Sequence, residues 1–279
     1  MTGQPLQIQT PRRPRGGLAD VAGALPMSWG DGGWNWGVQV TPSCLLDRTV
    51  WGCASTGLKP NNGIEPSVNF DPTTFAVAVN CGPNGEQSPI GDIARQLAVD
   101  GLERWYWSDL AVVLSEGEVG AAVPNPSLRS EMQPYTGFVP ATPECIMRVI
   151  SGLLQQQGDC YDADVVFHVN RMFLPYFVSQ QIVLWDEGRG VWHMGPYDFS
   201  FDSYPNLGSA AIEGADPTLT DGTEAWIYMT PRPLAATAPE QAFSSTRVRQ
   251  NLYQVAAEVP GIVVFNPCCV WAGKALVGC

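Results

Sequence analysis

The chain has 279 residues, enough for one large domain or two ordinary ones, and its 15 Lys and Arg against 27 Asp and Glu give a net charge of −12. Apolar residues make up 45%, near the globular norm, whereas charged residues reach only 15% against roughly 25% in typical soluble proteins. With 29 glycines and 24 prolines the composition argues against a helical bundle or coiled coil, and with only Lys59 and Lys274 as lysines it argues against a free nucleic-acid binder.

Taken in chain order, residues 1–38 read as an extended arm. Pro5, Pro11 and Pro14 block helix, and Gly16-Gly17, Gly30, Gly32-Gly33 and Gly37 loosen the remainder. Arg12, Arg13 and Arg15 form its one basic cluster, either a solvated tail or a contact to acid on a neighbouring subunit or to DNA. Residues 39–88 hold short β-like pieces, including TFAVAV over 74–79, separated by turns such as Lys59-Pro60-Asn61-Asn62-Gly63. This stretch has few residues with which to build a core of its own, so its apolar positions are expected to meet another part of the fold or another chain.

Ser88-Pro89 is an N-cap followed by proline at the first helical position, and the helix it opens is expected to run to Glu116, before Gly117. About 28 residues at ~1.5 Å each make a rod of roughly 40 Å. Ile90, Ile93, Ala94, Leu97, Gly101, Leu102 and Trp105 keep helical spacing and predict its buried face, with Trp105, Tyr106 and Trp107 as packing anchors. A second helix is predicted from Thr142-Pro143-Glu144 to before Gly158, burying Ile146, Val149, Ile150, Leu153 and Leu154. It leads into Val165-Val166-Phe167-His168-Val169, an apolar run suited to a strand covered on both faces. A hairpin about Asp186-Glu187-Gly188-Arg189-Gly190 follows, then a strand over 225–229. A closing hairpin is predicted to turn at Val259-Pro260-Gly261.

The common active-site templates are absent: there is no P-loop, no G-x-S-x-G and no H-E-x-x-H. His168 sits among apolar neighbours and reads as a satisfied core histidine rather than a base, and His193 as the same case on a hairpin. Asp198, Asp202, Glu213, Asp216, Asp221 and Glu224 fall in a Gly/Pro-rich stretch that could line a cleft; with ten tryptophans they leave room for a carbohydrate-active protein. The first twenty residues contain no apolar run like a signal peptide, so the eight cysteines are expected to be reduced and buried.

The order flexible arm, long hairpin, long helix, amphipathic helix into a buried strand, hairpin, strand, closing hairpin resembles the major capsid protein of tailed bacteriophages, whose fold encapsulin shells share. The segment Asn251-Leu252-Tyr253-Gln254-Val255-Ala256-Ala257-Glu258, continued by Gly261-Ile262-Val263-Val264-Phe265-Asn266-Pro267, is similar to that family's last strand pair. Phe167-His168-Val169-Asn170 is similar to its axial strand. The resemblance implies an α+β fold with an N-terminal arm (1–38), an extended loop (39–88), a spine helix with the first part of a peripheral domain (89–143), an axial domain (144–242) and a return to the peripheral domain (243–279). It implies a non-enzymatic virion protein without cofactor, metal or membrane. Such a protein is assembled in the host cytoplasm into the pentamers and hexamers of an icosahedral head around double-stranded DNA. Scaffold, portal and decoration proteins are its other expected partners, and its contact with packaged DNA is non-specific. An encapsulin-like compartment shell is the alternative within the fold.

This reading has a physical basis, because a core-poor arm and hairpin with a weakly charged surface leave area that only neighbouring copies can bury. The expected contacts between subunits are Arg12, Arg13 and Arg15, the aromatic anchors Trp29, Trp34, Trp36 and Trp51, and Lys59. Some family members join a loop lysine to a neighbour's asparagine, the role Lys59 would take; a turn lysine beside two asparagines is ordinarily just solvated.

Overall fold

The hydrophobic periods of the sequence become two large sheets, a small two-stranded one that pairs residues 38–40 with 68–70, and a long helix in a computed structural model that describes residues 16–25, 38–40, 68–80, 90–117, 124–135, 144–156, 164–207, 222–247 and 252–278. In chain order the elements are α1 (Leu18–Val21), β1 (Gly23–Ala24), β2 (Val38–Val40), β3 (Val68–Phe70), β4 (Thr73–Asn80), α2 (Ile90–Glu116), α3 (Leu128–Glu131) and β5 (Gln133–Pro134). There follow β6 (Glu144–Cys145), α4 (Ile146–Gln155), β7 (Val165–Asn170), α5 (Leu174–Ser179), β8 (Leu184–Asp186), β9 (Val191–Met194) and β10 (Tyr197–Asp202). The last are β11 (Glu224–Pro231), β12 (Leu234–Thr237), β13 (Gln241–Arg247), β14 (Leu252–Val264) and β15 (Trp271–Leu276). The fold class is α+β.

One sheet runs β5-β15-β11-β7-β10-β9-β8, with β7 and β10 parallel and β11 antiparallel to both β7 and β15. Alternation sorts its two faces. Val165, Phe167, Val169, Phe199, Phe201, Ile227 and Met229 point to one side, where they pack with Ile146, Val149, Ile150 and Leu153 of α4 and Phe177 of α5. Val166, Trp226 and Tyr228 point to the other, into the core shared with α1, α2 and α3. The sheet is thus covered on both faces, and β7 is buried along its length as its apolar run requires.

The second sheet is ordered β1-β12-β14-β13, with β4 on the opposite flank of β14. The predicted turn at 259–261 is not there; β14 continues straight through Pro260 and Gly261. The carbonyl of Pro260 accepts from Ala238 N at 2.9 Å, so its N–H position faces the gap between β12 and β13, where no ladder bond is lost. Gly261 is required because a Cβ there would run into the Tyr106 hydroxyl. The hairpin lies earlier, between β13 and β14.

The long helix has the expected length, and its end is set by Gly117, which has φ +80° and donates from its N–H to Val113 O at 2.8 Å. Its buried face is only partly the expected one, for Ala94 and Leu102 are buried as predicted while the face is rotated away from the rest of the series. Ala94, Ala98, Leu102, Tyr106, Leu110, Ala111 and Leu114 face the core, whereas Ile93, Leu97 and Trp105 are exposed. At Gly101 the helix lies close on the second sheet, for a Cβ there would stand 3.0 Å from Val77 Cγ1. The second helix starts later than its Thr-Pro signal, at Ile146, since Glu144 and Cys145 pair as β6 with β15.

Strand pairing also cuts across the expected domain boundaries. β15 belongs to the sheet of β7 and β11, while β12 and β1 join the sheet of β14. The thiols differ too, for Cys145, Cys268 and Cys269 are disulfide-bonded rather than free. Spacing along a chain says little about which cysteines folding brings together.

Candidate assembly surface

Two buried carboxylates tie residues 16–21 to the rest of the fold. Asp202 accepts from Leu18 N at 2.9 Å through Oδ2, and through Oδ1 from Ser108 Oγ of α2 at 3.1 Å and Arg171 at 3.1 Å. Gly16 lies in the left-handed region at φ +78°, against the Trp192 ring, and its carbonyl accepts from Phe201 N at 2.8 Å. Asp198 receives Arg189 and, at 2.8 Å, Arg232, which also donates to the Val21 carbonyl at 3.1 Å. These acids therefore hold α1, α2 and the first sheet together. Of the acids expected to line a cleft, Asp198 and Asp202 are instead buried at 1% and 2% exposure and Glu224 pairs with Lys274, while Glu213, Asp216 and Asp221 lie outside the described residues. The signal missed was the strict alternation of Tyr197-Asp198-Phe199-Ser200-Phe201-Asp202, a strand whose polar face is also buried.

His168 lies beneath the same layer. Its Nδ1 is 3.0 Å from Tyr204 Oη and its Nε2 2.9 Å from Thr230 Oγ1, while Ser200 Oγ meets Tyr204 Oη at 2.7 Å. Complete burial pushes the imidazole down to about 3 and the Tyr204 phenol upward, so both are neutral. A satisfied, sealed network of this kind stiffens a core and reaches no substrate. Among the described residues no group of three His, Cys, Asp or Glu could hold a metal ion, and no helix is long and apolar enough to cross a membrane.

The outer surface is unusual in another way. Ile93, Leu97 and Trp105 stand at i, i+4 and i+12 on the outward ridge of α2, each more than half exposed, and Phe243 projects from β13. Beside them a groove of about 420 Å³ lies between α2 and the second sheet. Leu102, Tyr106, Trp107 and Val259 line it, and Glu103 and Glu240 are at its lip. The eight contact residues expected from sequence (Arg12, Arg13, Arg15, Trp29, Trp34, Trp36, Trp51 and Lys59) all lie outside the described residues. Helical spacing alone puts these ridge residues on the buried side, and the structure exposes them.

No family model matches the chain, and no curated protein matches it. Solved structures do. A chain of the capsid of an empty GTA particle is similar over 99% of this chain and 95% of its own, with a TM-score of 0.58 at 12% identity. The native GTA capsid gives 0.57 at 12% identity over the same shares. A chain from Mycobacterium phage Ogopogo gives 0.53 at 13% identity, over 96% and 94%. The chain has the fold of a phage capsid protein. Such low identity conveys architecture alone. In that capsid fold the similarity spans both sheets and the long helix, since nearly the full length of each chain is covered.

Proposed function

We propose that this protein is a major capsid subunit, a non-enzymatic structural protein that self-assembles into the icosahedral head of a tailed phage through pentamers and hexamers. The observation that carries the proposal is the end-to-end similarity to capsid chains. The exposed ridge of Ile93, Leu97 and Trp105 supports it, because a monomer gains nothing from such a row whereas a neighbouring copy can bury it. A net charge of −12 suits a wall that must not hold the DNA it encloses. Its arm, extended loop and spine helix keep the order read from the sequence, with the peripheral and axial boundaries redrawn so that β15 goes with β7 and β11, and β12 with β14; assembly takes place in the host cytoplasm, with scaffold, portal and decoration proteins as partners.

Negative-stain microscopy of the purified full chain tests this directly. Closed shells are expected; a monomer that stays dispersed at high concentration and binds polysaccharide overturns the reading in favour of a carbohydrate-active protein. Nucleic acid within particles from infected cells separates a phage head from an encapsulin-like compartment.

A further inference from the structure

The chemistry of the groove between α2 and the second sheet selects what it can hold. Its floor is deep, for Leu102, Tyr106 and Val259 are 2%, 5% and 9% exposed. The Tyr106 and Trp107 rings meet at 79° with centroids 5.3 Å apart, so the aromatic lining forms a corner rather than a flat plate. The two acids come from different walls: Glu103 is on α2 and Glu240 lies between β12 and β13, and both are exposed. Neither forms an ion pair among the described residues, where Arg129, Arg148, Arg171, Arg189, Arg232 and Lys274 pair with other carboxylates. Arg104, the cation next to Glu103 in the chain, lines a separate cleft with Gly17, Ser108 and Asp202. A volume of about 420 Å³ falls in the range of small-molecule sites.

We propose that this groove binds a linear polyamine of the spermidine class, an alkylammonium with cationic ends and a methylene middle. An ammonium is attracted to aromatic faces, and a corner of two rings offers more than one of them. Glu103 and Glu240 draw the charges from the two walls, while the methylenes cover the apolar floor. A divalent metal ion gains only the charge. Magnesium requires several oxygen ligands close about it, and among the described residues no group of three His, Cys, Asp or Glu could supply a metal site. A lysine side chain from a partner protein brings a single ammonium to a groove that has an acid on each wall. The site does not depend on the shell reading; in a DNA-filled head, organic polycations would be at hand as counterions of the phosphates.

Isothermal titration calorimetry of spermidine into the purified full chain tests this. Saturable binding at one site per chain is expected. Glu103→Gln with Glu240→Gln should weaken it about tenfold or more, and Trp107→Leu by about threefold. Asp71→Asn with Glu187→Gln, which removes the same charge from exposed positions elsewhere, should leave the affinity unchanged. Thermal unfolding of each variant checks that it is folded, and if Trp107→Leu is not, the two exposed glutamates still decide. Titration without saturation overturns the proposal. Equal weakening by both double variants does so too, because it would mean counterion condensation on an acidic surface. Magnesium binding with the same dependence on Glu103 and Glu240 would reduce the site to its charge and overturn the polyamine. N-acetyl-lysine amide binding as tightly as spermidine would overturn it in favour of a protein's lysine.

Discussion

Tyr106 shows how much a single atom can constrain this fold. Its ring packs edge-on against Phe75 and Trp107, and its hydroxyl is buried, without a hydrogen-bond partner among the described residues, against the bare Cα of Gly261. Gly261→Ala should cost about 1–3 kcal/mol through overpacking, since backbone and a rigid ring face each other. Tyr106→Phe removes a buried, unsatisfied group and should be neutral or stabilising. In the double variant it should recover much of the alanine's cost, a coupling that urea denaturation in a double-mutant cycle measures. His168 gives a pH signature. The unfolded imidazole takes its proton near 6.5, whereas the folded one resists until about 3, so the unfolded state binds more protons throughout that window. Stability should fall as the pH drops from 6.5 towards 3, by up to about 1.4 kcal/mol per unit, and His168→Gln should flatten that slope in denaturation midpoints at pH 7 and 4.5.

At the scale of elements, the attachment of α1 depends on one carboxylate that four groups share: Leu18 N, Ser108, Arg171 and Ser203 N. Asp202→Ala strands a guanidinium and an N–H and should destabilise the chain by about 3 kcal/mol. Hydrogen exchange at residues 18–21 should rise before that of β7 does; equal protection in both would refute the role of this strap. Here the sequence was legible wherever local chemistry decides. Gly117 ended the long helix, the Gly-rich loop at 186–190 made its hairpin, and the apolar run at 165–169 became a central strand. It was not legible where a distant partner decides. Periodicity places Ile93 and Ala94 almost equally well on a buried face, and packing against the rest of the fold selects the alanine. Pro260-Gly261 looks like a turn until Tyr106 and the gap between β12 and β13 explain why a strand needs both.

For the whole molecule, the order of elements was the readable quantity, and it led to the same fold that the structural similarities give. The contact surface was less readable, because apolar residues awaiting a neighbour have the same spacing as those awaiting a core. Leu97→Asp and Trp105→Asp, both at exposed positions, should change subunit stability by no more than about 0.5 kcal/mol while abolishing particles in sedimentation runs. If particles form normally, the ridge is not an assembly contact. Deleting residues 2–14 should leave a folded subunit that assembles poorly. Extending the deletion through Gly17 should harm folding as well, because that glycine is packed against Asp202.

β14 carries a mechanical consequence. Its thirteen residues are laced to β4 along one border and to β13 and β12 along the other. Tension applied along its length, as in a vessel wall stretched by its contents, loads those rungs in shear, so that many must yield together. Peeling, which breaks them one at a time, would need a pull across the strand.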